Sequence, residues 1–79
     1  MTDLKELLAY IARNLVSKPE AVSVTETEGH DGRILELRVA PEDMGKVIGR
    51  QGRNAKEIRT VIRSVAQRQN EKVSVEIMD

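Results

Sequence analysis

Residues 47–59 read VIGRQGRNAKEIR, and this stretch decides the fold of the chain. An apolar pair precedes Gly49 and Gly52, and a long amphipathic segment follows them. Two glycines three residues apart allow a tight turn and let another backbone approach closely, because neither carries a Cβ atom. The helix predicted after Gly52 would direct its first N–H groups and its positive dipole end into this turn. Glycine supplies no side-chain oxygen to occupy those donors, so the pattern predicts a site for a phosphate.

Charge is distributed unevenly along the chain, although the formal net charge is zero. Residues 46–68 carry a net charge of +6, whereas residues 19–45 carry −5. A strongly basic segment in a neutral protein indicates a polyanionic partner, and the alternative is a solvated helix face with a basic bias. The cations nearest the glycine turn are Lys46, Arg50, Arg53 and Lys56.

Hydrophobic periodicity predicts three helices and three strands around this turn. Apolar residues from Leu4 to Leu15 follow helical spacing until Pro19, while Leu35, Leu37 and Val39 alternate with polar residues as in a half-buried strand. The strands are expected over 21–27, 33–40 and 72–77, with a short helical turn over 44–48 and a long helix over about 53–69. The buried stripe of that helix is predicted to contain Ala55, Ile58, Ile62, Val65 and Ala66.

The order of elements is therefore α-β-β-α-α-β in one domain, residues 1–79. The first two strands would form an antiparallel hairpin, with Gly29 to Gly32 as its turn and positive φ angles at glycine and Asp31. The third strand would join in parallel, which gives a three-stranded mixed sheet with helices on one face, an α+β fold. His30 is then an exposed turn residue rather than a ligand or a base.

Composition excludes several classes of protein. The chain has no cysteine, one histidine, and Tyr10 as its one aromatic residue. A zinc site, a catalytic triad, and a module that stacks bases on a row of rings are therefore not expected. The GxxxxGK[ST] and GxGxxG phosphate-binding motifs are absent, so we expect no enzyme, no metal and no cofactor. No apolar run is long enough for a bilayer and the N-terminus has no signal-peptide pattern, which favours a cytoplasmic location.

The arrangement of these residues resembles a known family. Residues 33–77 resemble the βααβ core of a KH domain, whose signature is an apolar pair, GxxG, and a helix with spaced aliphatic residues. The preceding helix and strand, residues 3–28, are in the order of the type II, prokaryotic KH fold. A free-standing domain of this length is similar to the small bacterial KhpA-type (YlqC-like) RNA-binding proteins. One departure is Ala55, where many KH domains have isoleucine, and the smaller side chain implies a shallower groove.

The resemblance implies the positions of an RNA site. Its loop would hold the backbone of about four unpaired nucleotides, with the bases on an aliphatic groove. The loop residues would be Gly49, Arg50, Gln51 and Gly52, flanked by Arg53, Lys46 and Lys56, and the groove walls Val47, Ala55 and either Leu37 or Arg38. Val47 could equally be a core residue. Arg63 and Arg68 are either solvated charges or contacts for a longer RNA.

The resemblance also implies a biological role. Such proteins resemble RNA chaperones or post-transcriptional regulators that act with a second, KhpB-like (Jag-like) KH protein and are linked to cell elongation and envelope homeostasis. It suggests self-association as well, as a homodimer. The alternative is a protein–protein interaction module with weak or indirect RNA binding.

Overall fold

The computed structural model describes residues 2–78, and the predicted order of elements is confirmed. Short 3-10 turns at Pro19–Ala21, Pro41–Asp43 and Arg50–Gly52 connect the longer elements. These are α1 (Leu4–Arg13), β1 (Ser23–Gly29), β2 (Gly32–Arg38), α2 (Met44–Ile48), α3 (Arg53–Arg68) and β3 (Val73–Met78).

The three strands form one mixed sheet in the order β1-β2-β3. β2 pairs antiparallel with β1 and parallel with β3, so that Leu35 lies between Glu26 and Val75. The long path through α2 and α3 returns the chain to the same sheet in the same direction, as a parallel crossover requires. This confirms the α+β architecture with the type II KH order of elements.

The core lies between one face of the sheet and helices α1 and α3, while α2 packs on α3. Leu35 and Leu37 are fully buried on the inner face of β2, and Ile62 is fully buried on α3. The other face of the sheet carries mostly polar side chains, such as Thr25, Glu36 and Glu76, with Ile34 among them. The remaining buried apolar residues include Leu4, Leu8, Ala12, Val39, Val47, Ala55, Ile58, Ala66 and Val75. The predicted core stripes are thus confirmed, with Leu7, Ile11, Leu15 and Val65 partly buried and packed against the core.

Helix α1 is shorter than its apolar stripe predicted. The Asp3 side chain caps its start by accepting from the amides of Lys5 and Glu6. The helix ends at Arg13 because Asn14 caps it, donating from its backbone N–H and from Nδ2 to the carbonyl of Tyr10. Leu15 packs against the core from outside the helix.

The hairpin turn differs from the prediction in its backbone. Gly29 lies opposite Gly32, and in the turn only Gly32 has a positive φ, +124°. A Cβ at Gly32 would also collide with the carbonyl oxygen of Lys72. The prediction of a positive φ at Asp31 was wrong, because Gly32 adopts the positive φ that reverses the chain. Within residues 2–78, no helix is long and apolar enough to cross a membrane.

Candidate nucleic-acid interface

The turn between α2 and α3 is a 3-10 turn, Arg50–Gly52, rather than an open loop. The amide of Gly52 donates to the carbonyl of Gly49 over 3.1 Å. Gly49 and Gly52 have φ angles of +76° and +75°, and Gln51 takes a left-handed φ of +57°. A non-glycine residue in this region is uncommon. The two glycines and Gln51 together reverse the chain within four residues and leave the Arg50 and Gln51 side chains exposed.

Position 49 requires glycine for two reasons, its positive φ angle and the close approach of Asn54. A Cβ atom at this position would lie 2.7 Å from Cγ of Asn54. Asn54, in the first turn of α3, uses this space to donate from Nδ2 to the carbonyl oxygen of Lys46 over 2.8 Å. This hydrogen bond ties the last turn of α2 to the start of α3. This hydrogen bond could not be predicted from the sequence, because asparagine is also a common surface residue.

Helix α3 begins directly after the turn, so its N-terminus faces the turn, and the amide of Arg53 donates to the carbonyl of Arg50. Gly52 is the N-cap residue and has no side chain that could accept a hydrogen bond from the first amides of the helix. The first turn of α3 contains no acidic residue. A helix of 16 residues has its full positive dipole end, and an anion at that end is stabilised by both the dipole and the amides. The N-terminus of α3 thus carries the features from which the phosphate site is predicted.

Helix α2 depends on a buried carboxylate. Asp43 is fully buried and accepts from the Ser17 hydroxyl at 2.7 Å, from the Ser17 amide at 3.0 Å, and from the Lys18 amide at 3.1 Å. These bonds, the Ser17 hydroxyl first, hold the pKa of Asp43 below its ordinary value. The Lys46 ammonium lies 3.7 Å from Oδ1 of Asp43. Asp43 thus joins α2 to the segment that follows α1, and sequence analysis missed this role.

The cations predicted for the site surround the turn and are exposed. Arg50, Arg53 and Lys56 form no ion pair with any carboxylate of residues 2–78. Their charges are therefore available to a bound anion. No group of three or more metal-ligating side chains occurs in the same described range.

Three of the four residues that the resemblance places at the groove walls are buried. Val47 and Leu37 are fully buried and Ala55 is 5% exposed, so all three belong to the core and offer almost no surface. Arg38 lies on the open face of the sheet, where it contacts Thr25 and Glu36. The apolar surface beside the turn is instead provided by Ile48, which is 38% exposed. In a five-residue helix, periodicity does not decide which residue of the Val–Ile pair is buried.

Helix α3 continues the basic surface away from the turn. Arg59 donates from Nε to the carbonyl oxygen of Val75, 3.2 Å away, on the outer edge of β3. Arg63 and Arg68 are exposed farther along the helix.

Comparison with known proteins identifies the family. The family model described as KhpA/KhpB, KH domain, matches residues 5–77. RNA-binding protein KhpA of Clostridium perfringens is 59% identical over 75 residues, covering 95% of this chain and 100% of that protein. RNA-binding protein KhpA of Chlamydia trachomatis is 55% identical over 76 residues, covering 96% of this chain and 97% of that protein.

Two structures of Era show the same fold at low sequence identity. The crystal structure of Aquifex aeolicus Era bound to GDP and aluminium fluoride has a TM-score of 0.57 and 21% identity, covering 98% of this chain and 31% of that one. Era in complex with MgGDPNP and a segment of 16S ribosomal RNA has a TM-score of 0.60 and 20% identity, covering 94% and 28%. Together with the α-β-β-α-α-β topology and the GxxG turn, the family match and the relatives lead to one conclusion: the chain belongs to the KhpA/KhpB family of KH domains.

Proposed function

We propose that this chain binds single-stranded RNA without catalysing a reaction, and that the Gly49–Gly52 turn holds the RNA backbone. The observation that carries the proposal is the N-terminus of α3, which has no side-chain cap, beside Arg50, Arg53 and Lys56, which pair with no carboxylate in the described part of the chain. The relatives from Clostridium and Chlamydia are named as RNA-binding proteins, which supports the same class of ligand.

Each part of the turn has a physical role in this proposal. The absence of Cβ atoms lets the sugar–phosphate chain approach the backbone, and the amides at the start of α3 donate to a phosphate. Arg50 and Arg53 supply charge beside it. Bases then lie against aliphatic surface such as Ile48, since Tyr10 is the one aromatic residue of the chain and lies on α1. This mode of binding requires unpaired nucleotides, as in other KH domains.

The finer role follows from the family resemblance. The proposal includes a cytoplasmic RNA chaperone or post-transcriptional regulator that acts with a KhpB-like (Jag-like) KH protein in cell elongation and envelope homeostasis. One domain of this size contacts few nucleotides, so a second KH domain would raise affinity through multivalency. Crosslinking in cells, followed by sequencing of the bound RNA and mass spectrometry of bound proteins, tests this role. Absence of both enriched transcripts and a KH partner would contradict it.

Binding to an unstructured RNA oligomer at increasing salt tests the proposed contact. Three to four phosphate contacts predict a slope of log affinity against log salt of roughly −2 to −3, at about −0.7 per phosphate. A slope near zero would exclude an electrostatic contact with the backbone.

A protein–protein module is the second candidate, and exposed apolar side chains favour it. Val61 on α3 is 44% exposed and Tyr10 on α1 is 65% exposed. Either residue could contribute to a homodimer or to a contact with another protein. Sedimentation with and without RNA separates the two functions, because a module of this kind associates to the same extent in both cases.

A further inference from the structure

A cavity of about 520 Å³ lies at the opposite end of α3 from the glycine turn. It is bounded by the hairpin turn, the C-terminal half of α3 and the start of β3. Its size is within the range of pockets that hold small organic ligands. Its polar lining includes His30, Asp31, Arg63, Gln67, Lys72 and Ser74, and Ile34 and Val73 add apolar surface.

Cations along one side of α3 connect the turn with the cavity. Helix α3 runs antiparallel to β3, because Arg59 contacts Val75 while Arg63 and Gln67 border the start of the strand. Lys56, Arg59, Arg63 and Gln67 follow one another at helical spacing along this side. At about 1.5 Å per residue, the distance from Lys56 to Gln67 along the helix is about 16 Å.

Charge at the cavity favours an anion over a cation. Arg63 and Lys72 form no ion pair with a carboxylate of residues 2–78. Glu71 also lines the cavity, but its charge is paired with Arg33, whose Nη2 lies 3.1 Å from Oε2 of Glu71. Asp31 is therefore the lining carboxylate that would repel an anion.

We propose that an RNA strand held by the glycine turn continues along α3 and places a further nucleotide in this cavity. The inference rests on the proposed function and extends it to a longer binding site. Arg63 and Lys72 neutralise a phosphate, Gln67 and Ser74 supply hydrogen-bonding groups, and Val73 and Ile34 contact the base or sugar. An RNA is favoured over other anions because cations along one side of α3 connect the turn with the cavity.

The test compares RNA oligomers of about four nucleotides, the length that a GxxG loop holds, with oligomers of about ten. The variant R63E/K72E should weaken binding of the longer RNA by about tenfold or more and change binding of the shorter RNA by less than about twofold. Loss of this phosphate contact should also reduce the salt slope of the longer RNA by about 0.7. Asp31→Asn should tighten the longer RNA a few-fold, because it removes the opposing charge.

The control is K5E/R13E, which makes the same change of charge on α1 and should weaken both lengths equally and slightly. R63Q/K72Q provides a second variant if the glutamates disturb β3. Equal losses for both lengths, or no loss for the longer RNA, would overturn the inference while leaving the turn site intact. If the wild type binds neither oligomer, the proposed function itself fails and the inference fails with it.

Discussion

The side-chain amide of Asn54 donates a hydrogen bond of 2.8 Å to the backbone carbonyl of Lys46, across the turn between α2 and α3. This bond satisfies a carbonyl at the end of α2, which has no partner within its own helix. It also fixes the spacing of the two helices whose ends form the proposed RNA contact. The structure of the turn therefore depends on a residue outside the GxxG sequence.

Asn54→Ala should weaken RNA binding by several-fold while lowering stability by only about 1 kcal/mol, the usual contribution of one hydrogen bond. The effect on binding arises because α2 and α3 lose their fixed spacing. Thermal melts and RNA titrations measure the two effects. Thr60→Ala is the matched control, because Thr60 also donates to a backbone carbonyl, that of Lys56, but lies outside the turn. Equal binding losses in the two variants would contradict the role given to Asn54.

Two glycines of this region should respond to alanine in opposite directions. Gly49→Ala introduces a positive-φ penalty of about 1–2 kcal/mol and a collision with Asn54, whose Cγ lies 2.7 Å from the new Cβ. Gly45→Ala places a Cβ with no atom within 4 Å inside α2, and should stabilise the protein by up to about 1 kcal/mol. Denaturant titrations of both variants provide the measurement. A Gly49→Ala variant as stable as the wild type would show that the backbone of the turn has a different conformation.

Most of the fold was predictable because its elements show strong periodicity. The alternation around Leu35 and the stripe through Ile58 and Ile62 fixed the faces of β2 and α3. The position of the glycine turn followed from its spacing and from the helix after it.

The contacts that shape the site were not predictable, because each joins residues that are distant or ordinary in sequence. Asp43 bonds to Ser17, 26 residues earlier in the chain, and its place before α2 suggested only the start of a helix. Gln51 takes a left-handed conformation that glutamine rarely adopts. Arg38 differs from these two, because the alternation of β2 is visible in the sequence and predicts the open face, opposite to Leu35 and Leu37.

Asp43→Asn should destabilise the protein at neutral pH and much less in acid. The pKa of Asp43 in the folded state lies below its ordinary value of 3.8. Its contribution is therefore fully present above about pH 4 and is lost as the pH falls through the folded-state pKa. The difference in melting temperature between wild type and variant should shrink below about pH 4. Glu42→Gln, at an exposed pair with Lys18, should show a smaller difference at every pH, and a pH-independent gap for Asp43→Asn would contradict the role of its charge.

Ile62→Ala should lower the free energy of unfolding by about 2–5 kcal/mol, since Ile62 is fully buried between α3 and the sheet. In a domain of this size that is a large part of the total stability. The neighbouring Val61→Ala is the control and should change stability by less than about 0.5 kcal/mol, because Val61 is exposed. Denaturant titration distinguishes them, and a small effect of Ile62→Ala would mean that the phase of α3 is wrong.

The most direct test of the RNA contact is the affinity of the variant R50D/Q51D for an unstructured RNA oligomer. The variant removes one positive charge and adds two negative charges beside the proposed phosphate. At an effective dielectric constant of 20 and about 5 Å, each charge changes the interaction by about 3 kcal/mol before screening by salt. The fold should persist, because both side chains are exposed and aspartate tolerates the left-handed φ at position 51. We expect circular dichroism and melting close to wild type with RNA binding abolished, whereas wild-type affinity in the folded variant would contradict the account and favour the protein-interaction module.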